Sequence, residues 1–149
     1  SVPMTRQVIE FTDNFLKDTA KFTGYDASEG ALYVLFMLSL AMHPKAPSIF
    51  AVDSFDHALN PRLAKKMIQV FCEQILNNDK HVFLTTHNPL VLDGLDITND
   101  DIRLFTVERD KNGYAKIKRI KVSQELIDEG QSLSRLWING RLGGVPDLI

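Results

Sequence analysis

One cysteine, Cys72, stands among 149 residues, so no internal disulfide can form and the fold must rest on its core. A reducing, cytoplasmic setting fits that composition. No apolar run reaches the ~18–20 residues a membrane-spanning helix needs. The longest, ALYVLFMLSLAM over residues 31–42, has no adjoining basic flank and reads as a buried helix, so no membrane partner is expected. The opening residues SVPMTRQVIEF show no targeting pattern and read as an arbitrary start. Internal repeats and low-complexity segments are absent. Charge of one sign is also lacking: 17 Lys and Arg against 19 Asp and Glu leave a formal net charge of −2, which argues against a global field for nucleic acid or membrane. His43, His57 and His81 have no Cys or His at metal-ligand spacing, which argues against a zinc site.

What is there is ordinary globular composition, 44% apolar and 24% charged. A single domain of this length buries roughly 68–70% of the surface its unfolded chain exposes. Over residues 6–22, Val8, Ile9, Phe11, Phe15, Leu16 and Phe22 fall loosely at helical spacing and predict an amphipathic helix. The loop TGYDASEG follows, with Ser28 as N-cap of a helix through GALYVLFMLSLAMH. HPKAP breaks the chain before the strand SIFAVD; Asn60 and Pro61 then open a helix to about Leu76. A second strand, HVFLTT, leads to His87 and the short helical segment NPLVLDGL. Strands joined by a crossover helix predict an α/β fold with a mainly parallel sheet and flanking helices. Residues 102–122 read as an antiparallel hairpin around DKNG, and 123–149 as a tail with one or two short helices.

In parallel sheets ligands bind beyond the carboxyl ends of the strands, and here those ends carry Asp53 and His87. An apolar strand ending in a carboxylate is a way to hold Mg²⁺ beside nucleotide phosphates. An acid at that position is also a common turn or cap residue. The neighbouring segments add weight to the first reading.

Three segments in fixed order, Ser28-Glu29-Gly30 opening an apolar helix, IFAVDSFDHALNP, and HVFLTTHNPLVLDG, resemble the C-terminal half of an ABC-type ATPase head. The resemblance is to the branch with the RecF, SMC and overcoming-lysogenization-defect families. It covers residues 24–95, and LSRLWINGRLGGVP resembles tails of the same branch. It implies a P-loop NTPase-like fold of which residues 1–149 form one C-terminal lobe. Ser28, Glu29 and Gly30 would match the signature motif that receives the γ-phosphate of a nucleotide bound by a partner. Asp53 would match the Walker B aspartate at the metal, DHALN the loop crossing the dimer interface, and His87 the switch histidine. ATP and Mg²⁺ are the implied ligands of the complete head, and a homodimer of heads the implied assembly. Bacterial members of this branch act in DNA repair or antiphage defence.

Two departures shape the expectation. No GxxxxGK[ST] phosphate loop occurs anywhere in the chain, so a Walker A lobe is expected in cis or in trans, and the isolated chain is expected to be inactive. The residue after Asp53 is Ser54, where the family usually has a glutamate that activates the attacking water. General-base assistance is worth about 10² to 10⁴ in rate, so slow turnover or mere sensing is expected. Asp56 is a candidate substitute acid, although strand alternation alone does not place it toward a phosphate.

Two further readings stay open. Lys116, Lys118, Arg119 and Lys121 could touch a DNA backbone, or form the solvated face of an edge strand. The same sheet could serve as a scaffold that binds an effector protein without hydrolysis. Trp137 reads most simply as an anchor for the tail helix.

Overall fold

The computed structural model describes residues 9–12, 21–24, 27–121 and 130–144. Among them are the strands β1 (Glu10–Thr12), β2 (Lys21–Thr23), β3 (Ile49–Val52), β4 (His81–Leu84), β5 (Leu104–Arg109) and β6 (Ala115–Ile120). The helices are α1 (Glu29–Met42), α2 (Pro61–Asn77), α3 (Pro89–Leu92) and α4 (Leu133–Ile138).

The centre is a parallel pair, β3 and β4, joined by the crossover helix α2, with Ile49 opposite His81 and Val52 opposite Leu84. Side chains alternate across a strand, so Phe50, Val52, Val82 and Leu84 face one way. They pack on a core supplied by Met37 and Ala41 of α1 and by Ala64, Met67, Ile68, Phe71 and Ile75 of α2. The α2 set recurs at helical spacing and makes a single apolar face. Phe71 anchors it, edge-on to Phe50 and 5.5 Å from the fully buried Phe55 ring. Cys72, beside it, has its thiol pushed up to about 11 by burial, so it stays protonated and inert near neutral pH.

Helix ends are closed by side chains in the expected places. Ser28 Oγ accepts the Ala31 N–H at 3.2 Å, and Asn60 Oδ1 accepts that of Leu63 at 2.9 Å ahead of Pro61. At the other end of α2, Asp79 takes φ +53° and Lys80 N–H reaches back to the Ile75 carbonyl at 3.1 Å, which is a Schellman closure. Lys80 then inserts its ammonium under α1, donating to the carbonyls of Leu40 at 2.6 Å and His43 at 2.9 Å. A cation is favoured there because the helix dipole is negative at that end.

Two expectations are corrected. The helix over 6–22 is absent where the chain is described: Glu10 pairs with Thr23 and Thr12 with Lys21 in an antiparallel ladder. The aromatic and β-branched residues that gave a loose helical spacing suit a pleated surface equally well. Residues 6–8 and 13–20 of that segment lie outside the described set. The mainly parallel sheet is likewise reduced, among the described residues, to one parallel pair beside two antiparallel ones. Only α2 supplies the crossover that parallel pairing requires.

The hairpin is β5–β6, turned at Asp110, whose carboxylate accepts the N–H groups of Asn112 and Tyr114 at 2.9 Å, while Gly113 takes φ +85°. Helix α4 docks on α3, where the Asp93 carboxylate accepts Ser134 N–H at 2.8 Å and its hydroxyl at 2.7 Å. Its Leu136 is buried and Trp137 half-buried; the tail beyond reaches β5 through Gly144 N–H to Glu108 Oε1 at 2.7 Å. Among the described residues no helix is long and apolar enough to cross a membrane.

Much apolar surface is left uncovered. The outer face of the parallel pair exposes Ile49 (66%) and Phe83 (72%), and α1, apolar nearly all round, exposes Leu32, Leu35, Phe36 and Met42. A parallel pair is normally covered on both faces.

Two glycine-related variants test these contacts. A Cβ at Gly94 would sit 2.4 Å from the Lys65 carbonyl oxygen and from Ile68 Cγ2, so Gly94→Ala is expected to cost at least the roughly 1–3 kcal/mol typical of overpacking. Asp79→Gly removes a side chain from the left-handed region and should stabilise by up to about 1 kcal/mol. Urea unfolding of both variants measures the two signs.

Candidate functional site

Parallel strands in matched register end together, and the ladder runs beyond the last regular pair. Thr85 N–H donates to the Val52 carbonyl at 3.1 Å, and Phe55 N–H to the Thr85 carbonyl at 2.8 Å. Asp53 therefore lies beside Thr85 at the carboxyl end of the sheet. The Thr85 hydroxyl donates to Asp53 Oδ1 and accepts the Ser54 N–H at 2.9 Å. Ser54 is left-handed, with φ +53°, which costs a non-glycine residue roughly 1–2 kcal/mol and turns the chain sharply inward. Phe55, next in line, is fully buried, and its burial offsets that cost.

The turn then brings Asp56 to the second threonine. Thr86 Oγ1 donates to Asp56 Oδ1 at 2.6 Å and accepts the Asn88 N–H at 3.0 Å. Across from it, the Tyr33 hydroxyl of α1 donates to the Phe55 carbonyl at 3.0 Å. Burial, and then the negative Asp56, raise the Tyr33 phenol above its ordinary value, so it remains a donor.

The start of α1 closes the third side. A Cβ at Gly30 would lie 2.9 Å from the Ala58 carbonyl oxygen, so only glycine allows α1 to approach the 56–59 loop this closely. Ala58 itself has φ +62°. Glu29 Oε1 lies 3.7 Å from His57 Nε2, an exposed contact that contributes little. Ser28 is exposed and its hydroxyl caps the helix. His87 follows Thr86, exposed, with no side-chain partner among the described residues.

The residues singled out from sequence thus fall into two groups. Asp53, Ser54 and Asp56 form one turn hydrogen-bonded to Thr85 and Thr86 just after β4, and Glu29 and Gly30 touch the loop that continues it. Ser28 and His87 flank these segments without a bond to the carboxylates. Sequence reasoning missed Thr85, Thr86 and Tyr33. The paired threonines immediately before His87 were the visible signal, since hydroxyls at a strand's carboxyl end are placed to meet a neighbouring strand's terminal acid.

An exposed carboxylate whose other oxygen, Oδ2, has no bond among the described residues fits a hard cation held mainly by water and phosphate, as Mg²⁺ is. A closed protein cage is not formed: among the described residues no three His, Cys, Asp or Glu side chains converge.

A parallel pair with a crossover helix, and an acid-bearing turn at its carboxyl end, make this an α/β domain with its polar groups gathered at one edge of the sheet. The family follows from comparison. Residues 4–93, more than half the chain, match the family described as "AAA domain, putative AbiEii toxin, Type IV TA system", and the chain belongs to that family. No curated protein matches it.

Tyr33→Phe removes one half-buried hydrogen bond and should lower stability by about 1 kcal/mol. A raised phenol pKa also means that wild-type stability falls as pH climbs past the ordinary 10.0, because the unfolded chain ionises first. In Tyr33→Phe that part of the alkaline decline should be smaller. Unfolding curves between neutral and alkaline pH decide this; identical declines in both proteins would exclude it.

Proposed function

We propose that this chain is the C-terminal lobe of an ABC-type ATPase head, in the RecF, SMC and overcoming-lysogenization-defect branch, acting as a slow ATPase or an ATP-driven dimer switch. The observation that supports it is the convergence of residues 29–30, 53–58 and 85–86 at the carboxyl end of one parallel pair, with Ser28 and His87 next to them in sequence. Asp53 would hold Mg²⁺ through water, His87 would contact the γ-phosphate, and Ser28, Glu29 and Gly30 would face the nucleotide of a second head. Mg²⁺, when bound, would neutralise the β- and γ-phosphate charge. The phosphate loop would come from a Walker A lobe in cis or in trans, and the bare faces around Phe83 and Phe36 are the surface such a lobe would cover. A cytoplasmic role in antiphage defence or DNA repair rests on family analogy alone.

Turnover is slow in this reading because position 54 carries a hydroxyl, which cannot take the proton of the attacking water near neutral pH. Asp56, anchored by Thr86, supplies the residual assistance. In the complete head, Ser54→Glu should raise phosphate release toward the roughly 10² to 10⁴ that a general base contributes. Asp53→Ala should remove Mg²⁺-dependent nucleotide binding. Fast wild-type turnover abolished by Asp56→Asn would instead make Asp56 the working acid and sink the slow-ATPase assignment.

One observation favours a second reading, a nucleic-acid surface on the hairpin. Residues 103–121 carry seven Lys or Arg and two acids in a chain whose net charge is −2, and Phe105 and Tyr114 are exposed among them. If so, DNA affinity falls steeply with salt and Lys116→Glu with Lys118→Glu weakens it uniformly across sequences. Fluorescence anisotropy at two salt concentrations is the measurement, and a salt-independent or absent signal rejects the surface.

A further inference from the structure

Consecutive hydroxyls at one strand end are each committed to a different carboxylate. A threonine has a single proton to donate; Thr85 spends it on Asp53 and Thr86 on Asp56, and each hydroxyl oxygen accepts one backbone N–H, from Ser54 and from Asn88 respectively. Both bonds therefore fix a carboxylate and a turn together. In each acid Oδ1 is the bonded oxygen, and Oδ2 remains available to a ligand.

We propose that Thr85 and Thr86 are positioning residues with separate duties: Thr85 orients Asp53 toward the metal-bearing side of the site, and Thr86 orients Asp56 toward the attacking water. This rests on the nucleotide reading above. The division follows from what each bond holds. Thr85 also pins the left-handed Ser54 that sets the direction in which Asp53 leaves the strand. Thr86 also pins the start of α3 through Asn88, so the orientation of Asp56 is tied to the segment carrying His87.

The outer hydrogen bonds of a ligating carboxylate typically matter 10- to 100-fold in metal affinity or activity. In the complete head, Thr85→Val should weaken Mg²⁺-dependent ATP binding by about that factor and leave ATP binding in chelator unchanged. Thr86→Val should lower turnover by a similar factor with Mg-ATP affinity unchanged. Thr85→Ser and Thr86→Ser retain the hydroxyl and should restore both. Amide hydrogen exchange gives a readout independent of nucleotide: Ser54 N–H loses protection in Thr85→Val only, and Asn88 N–H in Thr86→Val only. The proposal is overturned if the wild type binds Mg-ATP and both valine variants match it, or if both variants lose affinity and turnover alike without rescue by serine. A wild type with no Mg²⁺-dependent nucleotide binding instead overturns the nucleotide reading and takes the proposal down with it.

Discussion

The hydrogen bond from Phe55 N–H to the Thr85 carbonyl extends the parallel ladder past the end of β3, and the site depends on it. It holds the chain beside the continuation of β4 as far as Phe55, three residues beyond Val52, with the reversal at Ser54, φ +53°. That reversal drives Phe55 into the core beside Phe71 and leaves Asp53 and Asp56 on the surface next to two threonines. Core packing and site geometry are thus one constraint. A backbone that left the sheet at Val52 would free both acids.

The same tight turn gives Ser54 a second meaning. A left-handed position favours small or locally hydrogen-bonding residues, and Ser54 donates its N–H to Thr85. A serine at this position is therefore one that the turn accommodates. Asp56 is the other acid in the turn, and its carboxylate is held near the Tyr33 phenol and Thr86.

The uncovered apolar surface lies on one side of the parallel pair. The parallel pair is packed on one face and bare at Ile49 and Phe83 on the other. The described hairpin and α4 do not cover that face. They are tied to each other, through Glu108 and Gly144, and to α3 through Asp93.

Local chemistry made several elements legible in the residues themselves. Ser28, Asn60 and Pro61 announce helix starts because their side chains or fixed φ satisfy the first turn without help from the rest of the fold, and DKNG announces the hairpin in the same way. Asp53 and His87 could be placed at strand ends because apolar runs stop there. What only the tertiary structure decided is pairing. Whether residues 10–12 join a strand or a helix depends on the partner at 21–23, and spacing among so few residues fits both. That Thr85 serves Asp53 and Thr86 serves Asp56, across about 30 residues of chain, follows from the β3–β4 register, which no local pattern encodes. Sequence named the acids; the parallel register chose their partners, because a one-residue slip would turn each hydroxyl to the opposite face.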